Sequence, residues 1–444
     1  MTLLDELTAV LGPAGCLTDG LEGAKSDASG TGRTAPLALL RPATVAEVSA
    51  ALAICHRHRQ PVVPQGGMTG LAGGANPGPG QIALSLSRLS GVEEIDPDVP
   101  AMLVCAGTVL ETAQKAAEAA GFLLPIDLGA RGSAQIGGLI ATNAGGLRVI
   151  RHGTTRDNLL GVEAVLADGT VLSHLNRSVK DNTGYDLRHL IAGSEGTLAV
   201  ITRAVLRLRP QGPPPATALV ALDGYPQVLA LLRLAGARLT VSAFEAMWRD
   251  YFALNQQLAN VTAFADPPAF AVIVETESGD AALGAFLEEA FEAGLITDAL
   301  PAQSLADARR FWDIREGHAM DRALPHLLNL DVALPVGRLD AFAAACRARL
   351  LARYPDAHLS FFGHIGDGNL HIAVDAGSDA AHEVDRIAYG IVRDMGGSIS
   401  AEHGIGLLKR DWLDHSRSPA ELATMRAIKA ALDPAGILNP GKVI

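Results

Sequence analysis

Cysteine is scarce in this chain. Only Cys16, Cys55, Cys105 and Cys346 occur, and no two fall at a C-x-x-C or other ligand spacing. That excludes a disulfide framework and a thiolate metal centre; the four read as small buried apolar residues in a reducing compartment. Basic charge is also short, with 36 Lys and Arg against 48 Asp and Glu and a formal net charge of −12. A chain of that sign is not expected to take nucleic acid or an anionic membrane surface as partner, although a local basic pocket stays open to it. No apolar run reaches membrane length, and the candidate at residues 132–147 is broken by glycines and polar side chains. The opening Met1-Thr2-Leu3-Leu4-Asp5-Glu6-Leu7 places acids where a secretory leader needs bases, and suits a short amphipathic helix. These features predict a cytoplasmic protein without a membrane span.

Missing motifs narrow the chemistry further. No G-x-G-x-x-G occurs, which disfavours a Rossmann dinucleotide site, and H-E-x-x-H is absent. The run Gly436-Ile437-Leu438-Asn439-Pro440-Gly441-Lys442 imitates a P-loop, but Val443 stands where Ser or Thr is required and no helix follows to receive a phosphate. There is no internal repeat.

What is present is a chain of 444 residues, 48% apolar and 19% charged, the profile of a globular enzyme with enough length for two cores. Residues 42–60 read as a helix with Val45, Val48, Leu52 and Cys55 at helical spacing, and 61–64 as a short buried strand. Then comes Gln65-Gly66-Gly67-Met68-Thr69-Gly70-Leu71-Ala72-Gly73-Gly74, a loop whose backbone N–H groups can converge on an anion. After a helix over 110–120, a second glycine-rich stretch runs from Asp127 through Gly129, Ser133, Gly137, Gly138 and Asn143 to Gly145 and Gly146. Its small residues allow close approach to a flat ligand, and equally allow tight packing. Segments 159–166 and 170–174 flank Asp168-Gly169 as a hairpin, and 197–208 reads as a strand. Gln211-Gly212-Pro213-Pro214-Pro215 is the clearest linker. Beyond it, strands over 218–222 and 269–275 alternate with helices over 225–234, 281–293, 304–322, 339–354 and 380–395. The pattern predicts an α+β domain with helices covering one face of an antiparallel sheet.

The densest chemistry lies in Gly363-His364-Ile365-Gly366-Asp367-Gly368-Asn369-Leu370-His371. A two-residue type I′ turn at Asp367-Gly368 would set His364 opposite His371, with Cβ atoms about 4.5–5.5 Å apart, close enough to share a divalent cation. Glu402 is the best-placed third ligand, at the exit of a short strand expected over 398–401.

Taken together, Pro64 to Gly70, Ala141-Thr142-Asn143-Ala144-Gly145-Gly146, Gly193-Ser194-Glu195-Gly196-Thr197, Gly363 to His371, Ala401-Glu402-His403-Gly404 and Asp433 to Pro440 resemble one family. It is that of the FAD-linked D-2-hydroxy-acid dehydrogenases, which includes D-lactate and D-2-hydroxyglutarate dehydrogenases, and the motifs follow its order along nearly the whole chain. The resemblance implies an α+β protein of two domains: a vanillyl-alcohol-oxidase (PCMH) type FAD-binding domain over 1–210 and a substrate cap domain with an antiparallel sheet and the metal site over 211–432. Residues 433–444 would return to the FAD domain. By resemblance, Pro64, Gln65, Gly66, Gly67, Met68, Thr69, Gly70 and Leu71 hold the FAD pyrophosphate. Gly129, Ser133, Gly137, Gly138, Asn143, Gly145 and Gly146 line the flavin, and Glu195, Gly196, Ile201 and Asn439 complete the site. No histidine stands in the pyrophosphate loop, so the FAD is expected to be noncovalent.

The resemblance also makes His364, His371 and Glu402 the metal ligands, His403 the base, and Arg315 and Asn369 the substrate-binding residues. Imidazole and carboxylate ligands suit Zn²⁺, with Mn²⁺ and Fe²⁺ also allowed. The cation would lower the substrate hydroxyl pKa, and a neutral His403 would take that proton as hydride leaves C2. Members acting on 2-hydroxyglutarate carry a hydroxyl residue, a Lys and an Asn where this chain has Ala319, Asn329 and Ala373. A second substrate carboxylate would be left under-paired there, so a D-lactate-like acid is expected over D-2-hydroxyglutarate. A metal-dependent hydrolase and a noncatalytic binding protein are the competing classes; the two glycine-rich stretches count against the hydrolase. An electron-transfer flavoprotein or a quinone fits as electron acceptor, and a homodimer is the default oligomeric expectation.

Overall fold

Thr44 opens the helix Val45–Arg57 by accepting a hydrogen bond from Glu47 N at 3.1 Å, and Val48, Ala51, Leu52 and Cys55 form its buried face. Arg59, left-handed at φ 50°, ends it ahead of Pro61. Such local signals recur along the computed structural model, which describes residues 1–444 and separates into two compact units.

The first unit comprises Met1–Gly146, Gly153–Gln211 and Glu402–Ile444. Beside a two-stranded pairing of Phe122–Leu123 with Arg209–Pro210 it has two main sheets, the smaller in the order Cys16–Leu17, Leu39–Leu40, Ile82–Ser85, Val62–Gln65, the last two pairings parallel. The larger is wholly antiparallel: Val92–Asp96, Ala101–Cys105, Val200–Arg207, Leu159–Val165, Val171–His174. Leu159–Val165 is buried at every position, so it shows a continuous apolar run instead of alternation. One core joins both sheets to the helices Val45–Arg57, Leu110–Ala119 and Ile136–Thr142. Full burial of a leucine such as Leu52 there contributes about 1.5–3 kcal/mol. The C-terminal segment runs beside Val62, which donates to Ile437 O and accepts from Asn439 N, both at 2.8 Å. Residues 402–432, expected in the second domain, belong to this unit.

The second unit comprises Leu147–His152 and Gly212–Ala401. Its sheet has seven strands, all antiparallel, in the order Asp298–Pro301, Ala216–Leu222, Phe270–Thr276, Val241–Trp248, His358–His364, Asn369–Asp375, Leu328–Ala333. The helices Tyr225–Arg238 and Leu339–Arg353 pack over the face that carries Trp248 and Phe361: Tyr225 stacks on Trp248, and Trp248 Nε1 donates to Asp340. Asp280–Glu292 and Ala381–Asp394 extend this layer. The opposite face is not bare as expected. There Tyr251 and Phe252 of Arg249–Leu258 and Phe311 and Ile314 of Leu305–Glu316 pack on Leu219, Met247, Ile273 and Ala373.

Two local expectations fail. The helix expected over 304–322 is broken, because Gly317 turns left-handed at φ 61° and separates Leu305–Glu316 from the short Met320–Ala323. Residues 398–401 form no strand, only a single bridge from Ser398 to Ala333.

Candidate active site

In the first unit the two glycine-rich stretches meet, and the reason for glycine differs from position to position. A Cβ on Gly67 would lie 1.9 Å from Ser133 O, one on Gly137 2.8 Å from Ala106 Cβ, and one on Gly146 1.9 Å from Asp127 O. These glycines are required by backbone packing. At Gly129 and Gly138 a Cβ would meet nothing within 4 Å, and both line a cavity of about 370 Å³. The same cavity is lined by Pro64 through Leu71, Gly137, Gly145, Gly146, Glu195, Gly196 and Ile201, together with Glu402 and His403.

Three residues expected at the flavin stand behind this wall. Ser133 supplies the carbonyl under Gly67. Asn143 is the left-handed C-cap of Ile136–Thr142 and accepts from Arg156 N at 2.9 Å. Asn439 donates to Gly74 O and Glu195 O at 3.0 and 2.9 Å, fastening two lining loops together. Of the seven non-glycine residues with positive φ, Met68, Asn143, Glu195 and Asn439 belong to this group, so backbone strain is concentrated around the cavity.

Glu195 also fixes the loop that carries His403. Its carboxylate accepts from Ile405 N and Gly406 N, each at 2.8 Å, and Gly404, at φ +80°, could not carry a side chain beside it. Burial pushes the Glu195 carboxyl above the usual range, offset only in part by these backbone donors. Glu402 Oε1 accepts from Gly146 N at 2.8 Å, which ties the Glu402–His403 segment to the second glycine-rich stretch.

The cavity has unmet polar capacity. Gln135 Oε1 and Asp27 Oδ2 line it and are buried without hydrogen-bond partners, while Gln65 spends its amide N–H groups on Ala24 O and Ala75 O. An apolar, glycine-walled space with acceptors left over fits a flat ligand with N–H edges, as FAD is. Sequence reasoning missed Gln135 and Asp27, whose orphaned atoms only the folded chain reveals.

In the second unit the histidine hairpin differs from expectation. A 3₁₀ turn at Ile365–Asp367 followed by left-handed Gly368 lengthens the loop, so His371 pairs with Phe362 and not with His364. The slip is two residues, which keeps both histidines on one face. Their rings lie 5.3 Å apart, edge to face.

His364 is instead paired across the neighbouring strand with Glu245, whose Oε1 accepts from His364 Nδ1 at 2.7 Å. Glu245 Oε2 meets Arg315 at 2.6 Å. Arg315 is 4% exposed, lies 4.6 Å over the Phe362 ring, and has its own carbonyl bound by the Tyr251 hydroxyl at 2.8 Å. Burial raises the Glu245 carboxyl, but its contacts with His364 and the Arg315 guanidinium prevail and hold it below the usual carboxylate range. Asn369 donates its amide to Asp331 and Val332 O, leaving its Oδ1 buried without a partner. Asp331, also missed in the sequence, accepts from Ala401 N at 2.7 Å and from Ser400 Oγ. Asn329 and Ala373 face each other across two strands; Ala373 is sealed into the apolar cluster with Tyr251, Ile314 and Met320.

Known proteins agree with this frame. Residues 36–174 match the FAD binding domain model, and 214–443 match the model described as FAD linked oxidases, C-terminal domain. A D-2-hydroxyglutarate dehydrogenase of Xanthomonas citri pv. viticola is 41% identical over 92% of this chain and 89% of its own. The mitochondrial D-2-hydroxyglutarate dehydrogenase of Bos taurus is 41% identical over 91% of this chain and 76% of its own. Among solved structures, p-cresol methylhydroxylase superposes with a TM-score of 0.80 at 16% identity, covering 99% of this chain and 96% of that one, a likeness of fold alone. The chain belongs to the FAD-linked oxidase family, in its branch of D-2-hydroxy-acid dehydrogenases. Its reaction class is FAD-dependent oxidation of a D-2-hydroxy acid, which sets aside the hydrolase and the noncatalytic readings.

Proposed function

We propose that the substrate is a D-2-hydroxy monocarboxylate of the D-lactate type, oxidised to the 2-oxo acid with the help of a divalent cation. The first unit carries noncovalent FAD and the second presents the substrate groups. Bound FAD supplies a two-electron acceptor for the C2 hydride. His403 takes the hydroxyl proton. Arg315 holds the substrate carboxylate through its planar fork; Asn369, with only an acceptor left over, suits the hydroxyl end. His364, His371 and Glu402 would hold the cation, whose Lewis acidity lowers the hydroxyl pKa; the imidazole and carboxylate donors suit Zn²⁺. An electron-transfer flavoprotein or a quinone would accept the two electrons that the oxidation releases.

The observation that carries the substrate assignment is the trio Ala319, Asn329 and Ala373. None is cationic, and Ala373 sits in an apolar cluster, where an uncompensated second carboxylate would be costly. D-2-hydroxyglutarate is the second reading, favoured by the printed names of the relatives. Dye-coupled turnover decides between them. The D-lactate reading expects kcat/KM for D-lactate about 5- to 100-fold above that for D-2-hydroxyglutarate, given about 1–3 kcal/mol for an unpaired polar group. It also expects loss of turnover on chelation and recovery with Zn²⁺. The reverse substrate order would refute the assignment, and turnover indifferent to chelation would remove the cation.

A further inference from the structure

Glu245 is a deeply buried carboxylate of the second unit that the proposed chemistry leaves without a task, with a side chain 1% exposed on a strand buried at every position. A carboxylate placed there must be paired on both oxygens, and the fold pairs each with a different functional group. Oε1 takes His364 Nδ1, and Oε2 takes the Arg315 guanidinium. The strand register makes this unavoidable: Glu245 lies directly opposite His364 on one side and Ile273 on the other, so no further polar neighbour competes within the sheet.

We propose that Glu245 is a positioning residue that prepares the metal-ligand imidazole and the substrate-binding arginine at once. The inference rests on the roles proposed above for His364 and Arg315. Accepting from Nδ1 keeps the His364 proton on that atom, so Nε2 carries the lone pair that a cation requires; carboxylate partners fix metal-ligating imidazoles in this way. On its other side the Glu245 charge balances a buried guanidinium that would otherwise repel the cation, and draws one arm of Arg315 against the sheet. The remainder of Arg315 is held by the Phe362 ring and the Tyr251 hydroxyl, and Tyr251, Phe362 and His371 continue as one stack with centroids 4.0 and 4.9 Å apart. Arg315 Nε stays buried without a partner, a donor left for an incoming carboxylate. One carboxylate therefore sets two binding groups in register.

Glu245→Gln keeps the size and an acceptor while removing the charge. In the FAD-loaded, metal-stripped protein, competition with a chelator is expected to show Zn²⁺ bound about 10- to 100-fold more weakly than in wild type. KM for D-lactate is expected to rise by a larger factor than kcat falls, with FAD affinity unchanged. Wild-type Zn²⁺ affinity together with wild-type KM in this variant would overturn the proposal. Should the variant fail to fold, ¹⁵N-histidine spectra of the wild-type protein decide: a His364 proton on Nδ1 is expected, and one on Nε2 overturns it. Neither the Zn²⁺ titration nor the tautomer depends on the substrate, so a failure of the D-lactate assignment would leave both tests standing.

Discussion

At the scale of the residue, glycines of the two glycine-rich stretches divide into two functions that only their surroundings separate. Gly67→Ala should destabilise the FAD-free protein, because its Cβ would overlap Ser133 O; overpacking of this kind costs about 1–3 kcal/mol or more. Gly138→Ala should leave FAD-free stability near wild type and weaken FAD binding, since its methyl would enter the cavity. Denaturant midpoints and FAD titrations of the two variants should therefore move in opposite patterns. Lys442 supplies a pH-dependent case. Burial lowers its ammonium to about 8 from 10.5, with Asp27 offsetting part of the effect. The folded chain thus sheds this proton first, so the penalty for burying the charge is complete below about pH 8 and is relieved as pH rises to 10.5. Lys442→Met should stabilise FAD-free protein by up to roughly 3 kcal/mol at neutral pH. That advantage should shrink across the same window, and an advantage constant with pH would contradict the assignment. Cys55 and Cys105, both pushed up to about 12 with burial as the largest cause, behave as the inert apolar residues their spacing suggests.

At the scale of the element, much of the secondary structure is legible because capping, periodicity and turn chemistry agree. Asp168-Gly169 does return Leu159–Val165 into Val171–His174, and the helix expected from residue 304 does begin there, with Ser304 as the cap of Leu305–Glu316. The histidine hairpin is legible in kind and not in register. Its Asp-Gly signal is real, but a turn of 3₁₀ precedes the left-handed glycine, and local sequence does not distinguish a two-residue loop from this longer one. Gly368 is the pivot: it has φ 82°, and a Cβ there would lie 2.6 Å from Leu334 O. Gly368→Ala should cost more than the about 1–2 kcal/mol of a lone left-handed alanine, read as a lowered denaturant midpoint, and should weaken Zn²⁺ binding by displacing His371. Unchanged stability would contradict the packing account.

At the scale of the whole molecule, what the sequence conceals is long-range. Glu245 and Asp331 sit in strands, and their partners, Arg315, His364 and Ala401, come from distant segments, so no motif marks them. The division of the chain is hidden for the same reason. Residues 147–152 belong to the second unit, where Arg148 and Arg151 reach Glu275 and Glu277 at 3.2 and 2.8 Å, although they directly follow the glycines that line the first unit's cavity. Likewise 402–432 belong to the first unit, and with them His403 lines the same cavity as the glycine loops. No helix is long and apolar enough to cross a membrane. The central claim, that this FAD-dependent dehydrogenase takes a D-2-hydroxy monocarboxylate, is tested most directly by anaerobic bleaching of the visible flavin band. The panel pairs the D- and L-forms of lactate, 2-hydroxybutyrate, malate and 2-hydroxyglutarate. Rapid bleaching by D-lactate or D-2-hydroxybutyrate, with the L-forms inert and D-2-hydroxyglutarate slow, is the predicted result; preferential bleaching by D-2-hydroxyglutarate would contradict it.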